Sequence, residues 1–328
     1  MSNIVFIEMP AYGHVNPTLP VVQELVRRGE HVVYYYSAEF QTPIEAAGAL
    51  FRPYPAGTLT SADIARATQS GDITRVPAAI LRASELLVPF MLDELRGLEA
   101  DVVVLDANAL WGHLAARMLK LPTVSLMTTF MISQSQLRQV TLREWIHLLM
   151  PVIPSIPGMS SARSRAVRSF GTAAFPERPV FPARGDLNIA FIPREFQPDN
   201  PLVDDTFRFV GPTINSEAHL GAMPYGALDS QPITYISLGT LHKGDADFFR
   251  QCFEAFADMP TQFIVSTGTQ TETFGTIPSN FTIQPFVPQL DVLQHASALG
   301  AAHVPLVDLP NERLATSPLS RFKHPLRQ

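Results

Sequence analysis

Apolar residues are arranged along this chain in two alternating rhythms. Short, nearly unbroken runs, IVFIEM (Ile4–Met9), HVVYYYS (His31–Ser37) and ADVVVLDA (Ala100–Ala107), read as buried strands. Between them apolar residues recur every three or four positions, as at Leu19, Val22, Leu25 and Val26 before Gly29, and again in AAILRASELLVPFMLDELRGL and LWGHLAARMLKL. That spacing predicts amphipathic helices. Residues 38–54 read as a short helix and a third strand, residues 56–100 as helical, and PTVSLMTTF as a further strand. Strand and helix alternating this regularly predict βαβ units: an α/β protein with a doubly wound parallel sheet and helices on both faces.

A Pro-rich segment, 151–201, interrupts the alternation and reads as a long irregular stretch, with a strand and a turn in GDLNIAFIPREFQP. TFRFVGPTI (Thr206–Ile214) reads as the last strand of an N-terminal domain, 1–214, and the polar residues 215–231 as a linker. The pattern restarts at ITYISLGT (Ile233–Thr240). A helix, ADFFRQCFEAFADM, places Phe249, Cys252, Phe253 and Phe256 on one face, and TQFIVSTG, FTIQPF and the helical PQLDVLQHA follow. Residues 232–297 thus read as part of a second α/β domain. From Ala298 the pattern lapses, and 298–328, with Pro305, Pro310, Pro318 and Pro325, reads as an atypical tail. On that reading the strands IVST and FTIQPF lack sheet neighbours, and their exposed edges predict poor solubility or association through the C-terminal half.

Composition narrows the classes of function. The 328 residues allow two domains of ordinary size, and 46% hydrophobic against 16% charged residues allows a sizeable core. A net charge of −6 and a pI near 5.8 argue against a nucleic-acid or anionic-membrane partner. The single cysteine, Cys252, excludes an internal disulfide framework and a thiolate metal cluster and suits a reducing cytoplasm. No secretory leader pattern precedes the first strand, and no apolar run approaches the ~18 residues of a membrane span. The expected location is cytoplasmic.

Candidate chemistry gathers at strand ends. GHVNP (Gly13–Pro17) forms a strand-to-helix turn in which Asn16 can cap the helix and Pro17 suits its first turn. His14 then stands at the carboxyl end of the first strand, the edge where ligands bind in open α/β sheets. Asp106 ends the clearest strand of this half. If the two strands are neighbours, the carboxylate can hold one imidazole nitrogen, leaving the other to take a proton from a hydroxyl. Alone, His14 also reads as a turn histidine bonded to backbone, and Asp106 as the cap of LWGHLA. SLGT (Ser237–Thr240) can offer backbone N–H groups and hydroxyls to a phosphate. Neither GxGxxG nor GxxxxGK[ST] is present, and the nine histidines show no HExxH spacing, so no metal site is expected. Trp111 and Trp145 read as core or pocket-lining residues.

Taken together, MPAYGHVNPTLPVVQELVRRGEHV, VVVLDANALWG, REFQPD, FRFVGP, YISLGT and FVPQLDVLQHA strongly resemble the family 1 UDP-dependent glycosyltransferases, most of all their bacterial macrolide-glycosyltransferase branch. The resemblance covers residues 1 to about 297. It implies a GT-B fold, two Rossmann-like domains facing across a cleft, with the acceptor on the N-terminal domain and the nucleotide sugar on the C-terminal one. It implies a metal-free inverting transfer without cofactor, in which His14 is the general base and Asp106 orients it. It implies that Ser237, Gly239 and Thr240 lie near the donor phosphates, and that Phe286, Val287 and Gln289 hold the uracil, with Phe286 where the family often has a stacking Trp. The other reading of Phe286 is a core aromatic closing FTIQPF. Met127, Thr128 and Phe130, with LREWIHLLM and the Pro-rich region, would line the pocket of a hydroxylated apolar acceptor of macrolide, polyketide or flavonoid type.

After QHAS the family continues into a strand and a T-H-x-G-x-x-S loop, then a GVP turn and an Asp-Gln pair, none of which this sequence contains. His303 is followed by Val-Pro and is not matched to that loop. The departure reads as a truncation or a shifted frame. The alternative function is therefore a relative that binds the acceptor but not the donor; a nucleotide hydrolase has no motif behind it.

Overall fold

The computed structural model describes residues 1–69, 72, 74–129, 131, 150, 152–175, 182–213, 231–239, 246–268, 274–301 and 304–308. The chain divides into two compact units, Met1–Asn215 and Ser216–Gln328. The first unit runs β1 (Asn3–Ile7), α1 (Tyr12–Val15), α2 (Leu19–Arg27), β2 (His31–Tyr36), α3 (Gln41–Ala46), β3 (Leu50–Pro53), α4 (Ser61–Gln69), α5 (Arg75–Leu98), β4 (Val102–Asp106), α6 (Leu110–Leu119), β5 (Thr123–Met127), α7 (Ile156–Phe170), β6 (Leu187–Ala190) and β7 (Phe207–Phe209).

Its seven strands form one sheet in the order β3-β2-β1-β4-β5-β6-β7, every pairing parallel. The order reverses direction between β1 and β4, the switch point of a doubly wound sheet. Strand alternation sorts the core. Phe6, Tyr34, Tyr36, Val104 and Leu126 pack on one face with Val15, Val22 and Ile44 from α1, α2 and α3. Ile7 and Leu105 face the other way, where α6 approaches so closely that a Cβ on Gly112 would meet Leu105 Cδ2 at 2.5 Å and Ile7 Cγ2 at 3.0 Å. No described helix is long and apolar enough to cross a membrane.

The second unit runs β8 (Ile233–Ser237), α8 (Ala246–Phe256), β9 (Gln262–Ser266), β10 (Phe281–Gln284), α9 (Gln289–His295), β11 (Ala298–Ala301) and β12 (Val304–Asp308). Its sheet has the order β10-β9-β8-β11-β12. One core joins Ile233, Tyr235, Ile264, Val287 and Val292. The other joins Ile236, Phe263, Val265 and Phe281 to Phe249 and Phe253 of α8, and Cys252 is buried on the same helix.

Several sequence expectations need correction or refinement. The Pro-rich stretch holds a 15-residue helix, α7, because Pro157 falls in its first turn, where a missing N–H costs nothing. The helical reading over 56–100 holds, as two helices, α4 and α5. Asn16 does not cap α2: it closes α1, and Thr18 precedes α2 with Pro20 in its first turn. The pattern does not stop at Ala298, since Ala298–Ala301 pairs parallel with β8 and antiparallel with β12. Small residues of weak strand propensity hid that strand. Nor does β9 lack neighbours, since it lies between β8 and β10. Residues 309–328 lie outside the described residues.

Candidate active site

The pair anticipated from the sequence is formed by the sheet itself. β1 and β4 are adjacent and parallel, with Ile7 level with Leu105. The next residues, Glu8 and Asp106, therefore lie side by side at the carboxyl edge of the sheet. Past Glu8 the chain turns into α1, and that turn is pinned from below: Tyr36 Oη accepts the Ala11 N–H at 2.7 Å and donates to the Met9 carbonyl at 2.7 Å. Thr18 Oγ1 donates to the Val15 carbonyl and lies 2.7 Å from Tyr34 Oη. These anchors are buried, so α1 is held although it is only four residues long.

His14 stands on α1 with Nδ1 2.5 Å from Asp106 Oδ2. Its side chain is 14% exposed, whereas that of Asp106 is fully buried. The other carboxylate oxygen of Asp106 accepts the Asn108 N–H at 2.6 Å. Asp106 thus holds the turn before α6 with one oxygen and the imidazole with the other, but it does not cap LWGHLA: the N-cap of α6 is Ala109, with no side-chain cap bond. A carboxylate beside Nδ1 requires the proton there, which leaves the Nε2 lone pair without a hydrogen-bond partner among the described residues. Burial alone would depress the proton affinity of His14, but the charge of Asp106 and its hydrogen bond outweigh that and hold it above the ordinary 6.5.

Thr128, just after β5, places Oγ1 3.1 Å from the same Nδ1. It therefore adjoins the imidazole. Met127 is buried with Ala107, Met131, Ala190 and Phe207, so its side chain supports the site from within the core. Phe130 and LREWIHLLM fall outside the described residues. Trp111 is fully buried and donates to Tyr54 Oη at 3.2 Å.

In the second unit, β8 leads into the SLGT turn at the switch point between β8 and β11. Ser237 Oγ accepts the Gly239 N–H at 3.1 Å, and Gly239 has φ +76°, which suits glycine. Thr240 lies outside the described residues. Phe286 is 63% exposed and is therefore not the core aromatic of the other sequence reading. Val287 is a core residue, so only its backbone can face a ligand. Gln289 is exposed in the first turn of α9. His303 lies outside the described residues.

Three residues around the pair were missed by sequence reasoning. Glu8 was absorbed into an apolar run, although a lone acid in such a run was itself a signal. His113 of α6 is buried and places Nε2 3.2 Å from the Asp106 carbonyl oxygen; burial pushes its proton affinity down to about 4. Tyr12, 48% exposed, stands two residues before His14 on α1 and offers an aromatic surface. A separate cavity of about 510 Å³, lined by His113, Arg117, Lys120, Arg184 and Asp186 among others, opens where β5 and β6 begin. That is the opposite edge of the sheet from His14.

No family model matches the chain. It is 31% identical over 301 residues to the UDP-glucosyltransferase YojK of Bacillus subtilis, covering 90% of this chain and 74% of that one. It is 30% identical over 296 residues to the NDP-glycosyltransferase YjiC of the same organism, covering 90% and 72%. To the oleandomycin glycosyltransferase of Streptomyces antibioticus it is 26% identical, over 90% and 68%. Among solved structures, the calicheamicin glycosyltransferase CalG4 superposes with a TM-score of 0.65 at 25% identity, over 92% of this chain and 75% of that one. The glycosyltransferase of kitacinnamycin does so with a TM-score of 0.71 at 22% identity, over the same shares.

Proposed function

The chain belongs to the nucleotide-sugar-dependent glycosyltransferases with the GT-B fold, and we propose that it transfers a sugar from a UDP-sugar to a hydroxyl of an apolar natural-product acceptor of macrolide, polyketide or flavonoid type. The anomeric carbon inverts in a single displacement. Nε2 of His14 takes the proton of the acceptor hydroxyl as its oxygen attacks the anomeric carbon, and UDP departs with the electron pair of the broken bond. Asp106 fixes the tautomer and stabilises the imidazolium that forms, without itself taking the proton. On the donor side the SLGT turn meets the phosphates, and Phe286, the Val287 backbone and Gln289 meet the uracil. No resident metal takes part. Proton abstraction falls to His14, and leaving-group charge to backbone and side-chain donors.

The observation that carries this reading is the contact between His14 Nδ1 and Asp106 Oδ2, 2.5 Å long, at the sheet's carboxyl edge, with Nε2 free of hydrogen-bond partners among the described residues. UDP release measured over a panel of hydroxylated macrolides and flavonoids tests it. Release is expected with the parent chain and lost with His14→Ala; equal turnover by the two would reject His14 as the base.

A further inference from the structure

Glu8 is fully buried, and neither of its carboxyl oxygens has a hydrogen-bond partner among the described residues. Its backbone carbonyl, by contrast, is satisfied, accepting Tyr54 Oη–H at 2.8 Å. Register places it beside Asp106: Ile7 pairs with Leu105 and Tyr35, so one step on, Glu8 falls level with Asp106 on one side and Tyr36 on the other. By alternation Glu8 shares the face of Phe6, and Asp106 that of Val104, so the two carboxyl groups belong to one face of the sheet.

Two neighbouring buried carboxyl groups cannot both be ionised without a cation or donors between them. The donors are all on one member. Asp106 receives the Asn108 N–H and His14 Nδ1–H, whereas Glu8 receives none from the described residues. We propose that Glu8 and Asp106 form a buried carboxyl pair carrying one proton and one charge, the proton on Glu8 and the charge on Asp106, and that Glu8 is thereby a positioning residue for His14. The function follows from electrostatics. A second carboxylate here would bind the imidazole proton more tightly and keep His14 protonated at neutral pH. A neutral Glu8 leaves His14 facing a single charge and usable as a base.

The groups around Glu8 are consistent with a neutral acid. Tyr34 and Tyr36 from β2 and Tyr54 after β3 are phenols held protonated by burial. His113 of α6 is kept neutral, and His14 of α1 is committed to Asp106. Burial first, and the Asp106 charge second, raise the proton affinity of Glu8 well above the ordinary 4.5.

The inference deepens the role given to His14 and Asp106 above, but its test does not depend on sugar transfer. Infrared spectra of the parent chain minus those of Glu8→Gln at pH 7 should show one carboxylic-acid C=O band, sensitive to D₂O. A difference confined to carboxylate bands would overturn the proposal. In Asp106→Asn the pH at which that band disappears should fall by at least about one unit, as for a coupled pair; an unchanged value would overturn the pairing. The His14 imidazole, followed by NMR, should titrate at the same pH in Glu8→Gln as in the parent chain, and a lower midpoint would mean that Glu8 had been charged. If these results hold while UDP release is absent, only the transfer reading fails. If UDP release is present and the acid band absent, only this proposal fails.

Discussion

His14 is the residue whose chemistry responds most directly to pH. Its folded-state proton affinity is raised, so the imidazole is neutral, and able to act as a base, only above a midpoint that itself lies above 6.5. The acid limb of kcat/KM for sugar transfer is therefore expected above 6.5, with activity rising as pH rises. Asp106→Asn removes the charge and hydrogen bond that oppose burial. Its limb should move to lower pH, while kcat falls about 10²- to 10⁴-fold, the range lost with misplaced acid–base catalysis; a pH–rate profile of the two proteins checks both. The same shift has a stability consequence of opposite slope. The His14–Asp106 pair stabilises the fold fully below the unfolded value of 6.5 and progressively less as pH rises through the folded value. The state in which the pair is strongest is thus not the one in which the base is free.

At the scale of elements, α6 and the β1–β4 seam decide whether the pair forms. Gly112 lets α6 lie directly on Ile7 and Leu105, the residues before Glu8 and Asp106. Gly112→Ala places a methyl against side chains on two strands, and overpacking of that kind costs about 1–3 kcal/mol. Denaturant unfolding should show that loss, and the His14 NMR titration should move because β4 shifts beneath Asp106; unchanged stability would mean the helix relaxes without disturbing the seam. Elements also explain where sequence reading fell short. Proline frequency between 151 and 201 concealed α7, because only the position of Pro157 within its first turn, not the count of prolines, bears on helix formation. β11 was invisible for the converse reason: ALGA has little strand propensity, and its pairing with β8 supplies what its composition does not.

At the scale of the whole molecule, the two units carry different parts of the proposed reaction: the acid–base pair lies in the first, and the residues matched to the donor in the second. Calorimetric titration of UDP into the 328-residue chain addresses the second unit by itself. Micromolar binding is expected, weakened by about 1–3 kcal/mol in Phe286→Ala if that exposed ring stacks on the base. No binding by a folded chain would favour a relative that takes the acceptor without the donor. Chelation with EDTA should leave sugar transfer unchanged, and loss restored by a divalent cation would overturn the metal-free mechanism.

The sequence by itself determined the α/β class, the switch from strand to turn at His14 and Asp106, and the family. Those features rest on hydrophobic period and on short motifs, which are local. It also named the two residues of the pair, but could not bring them together. Their contact depends on β1 and β4 being neighbours, a fact of strand order between residues 92 positions apart in the chain. Tertiary structure alone decided that Asp106 serves both turn and imidazole, that Thr128 adjoins the ring, that Met127 and Val287 belong to the core while Phe286 does not, and that Glu8 is stranded beside Asp106. Burial and unmet hydrogen bonds are properties of what surrounds a side chain in space, and no spacing along the chain encodes them.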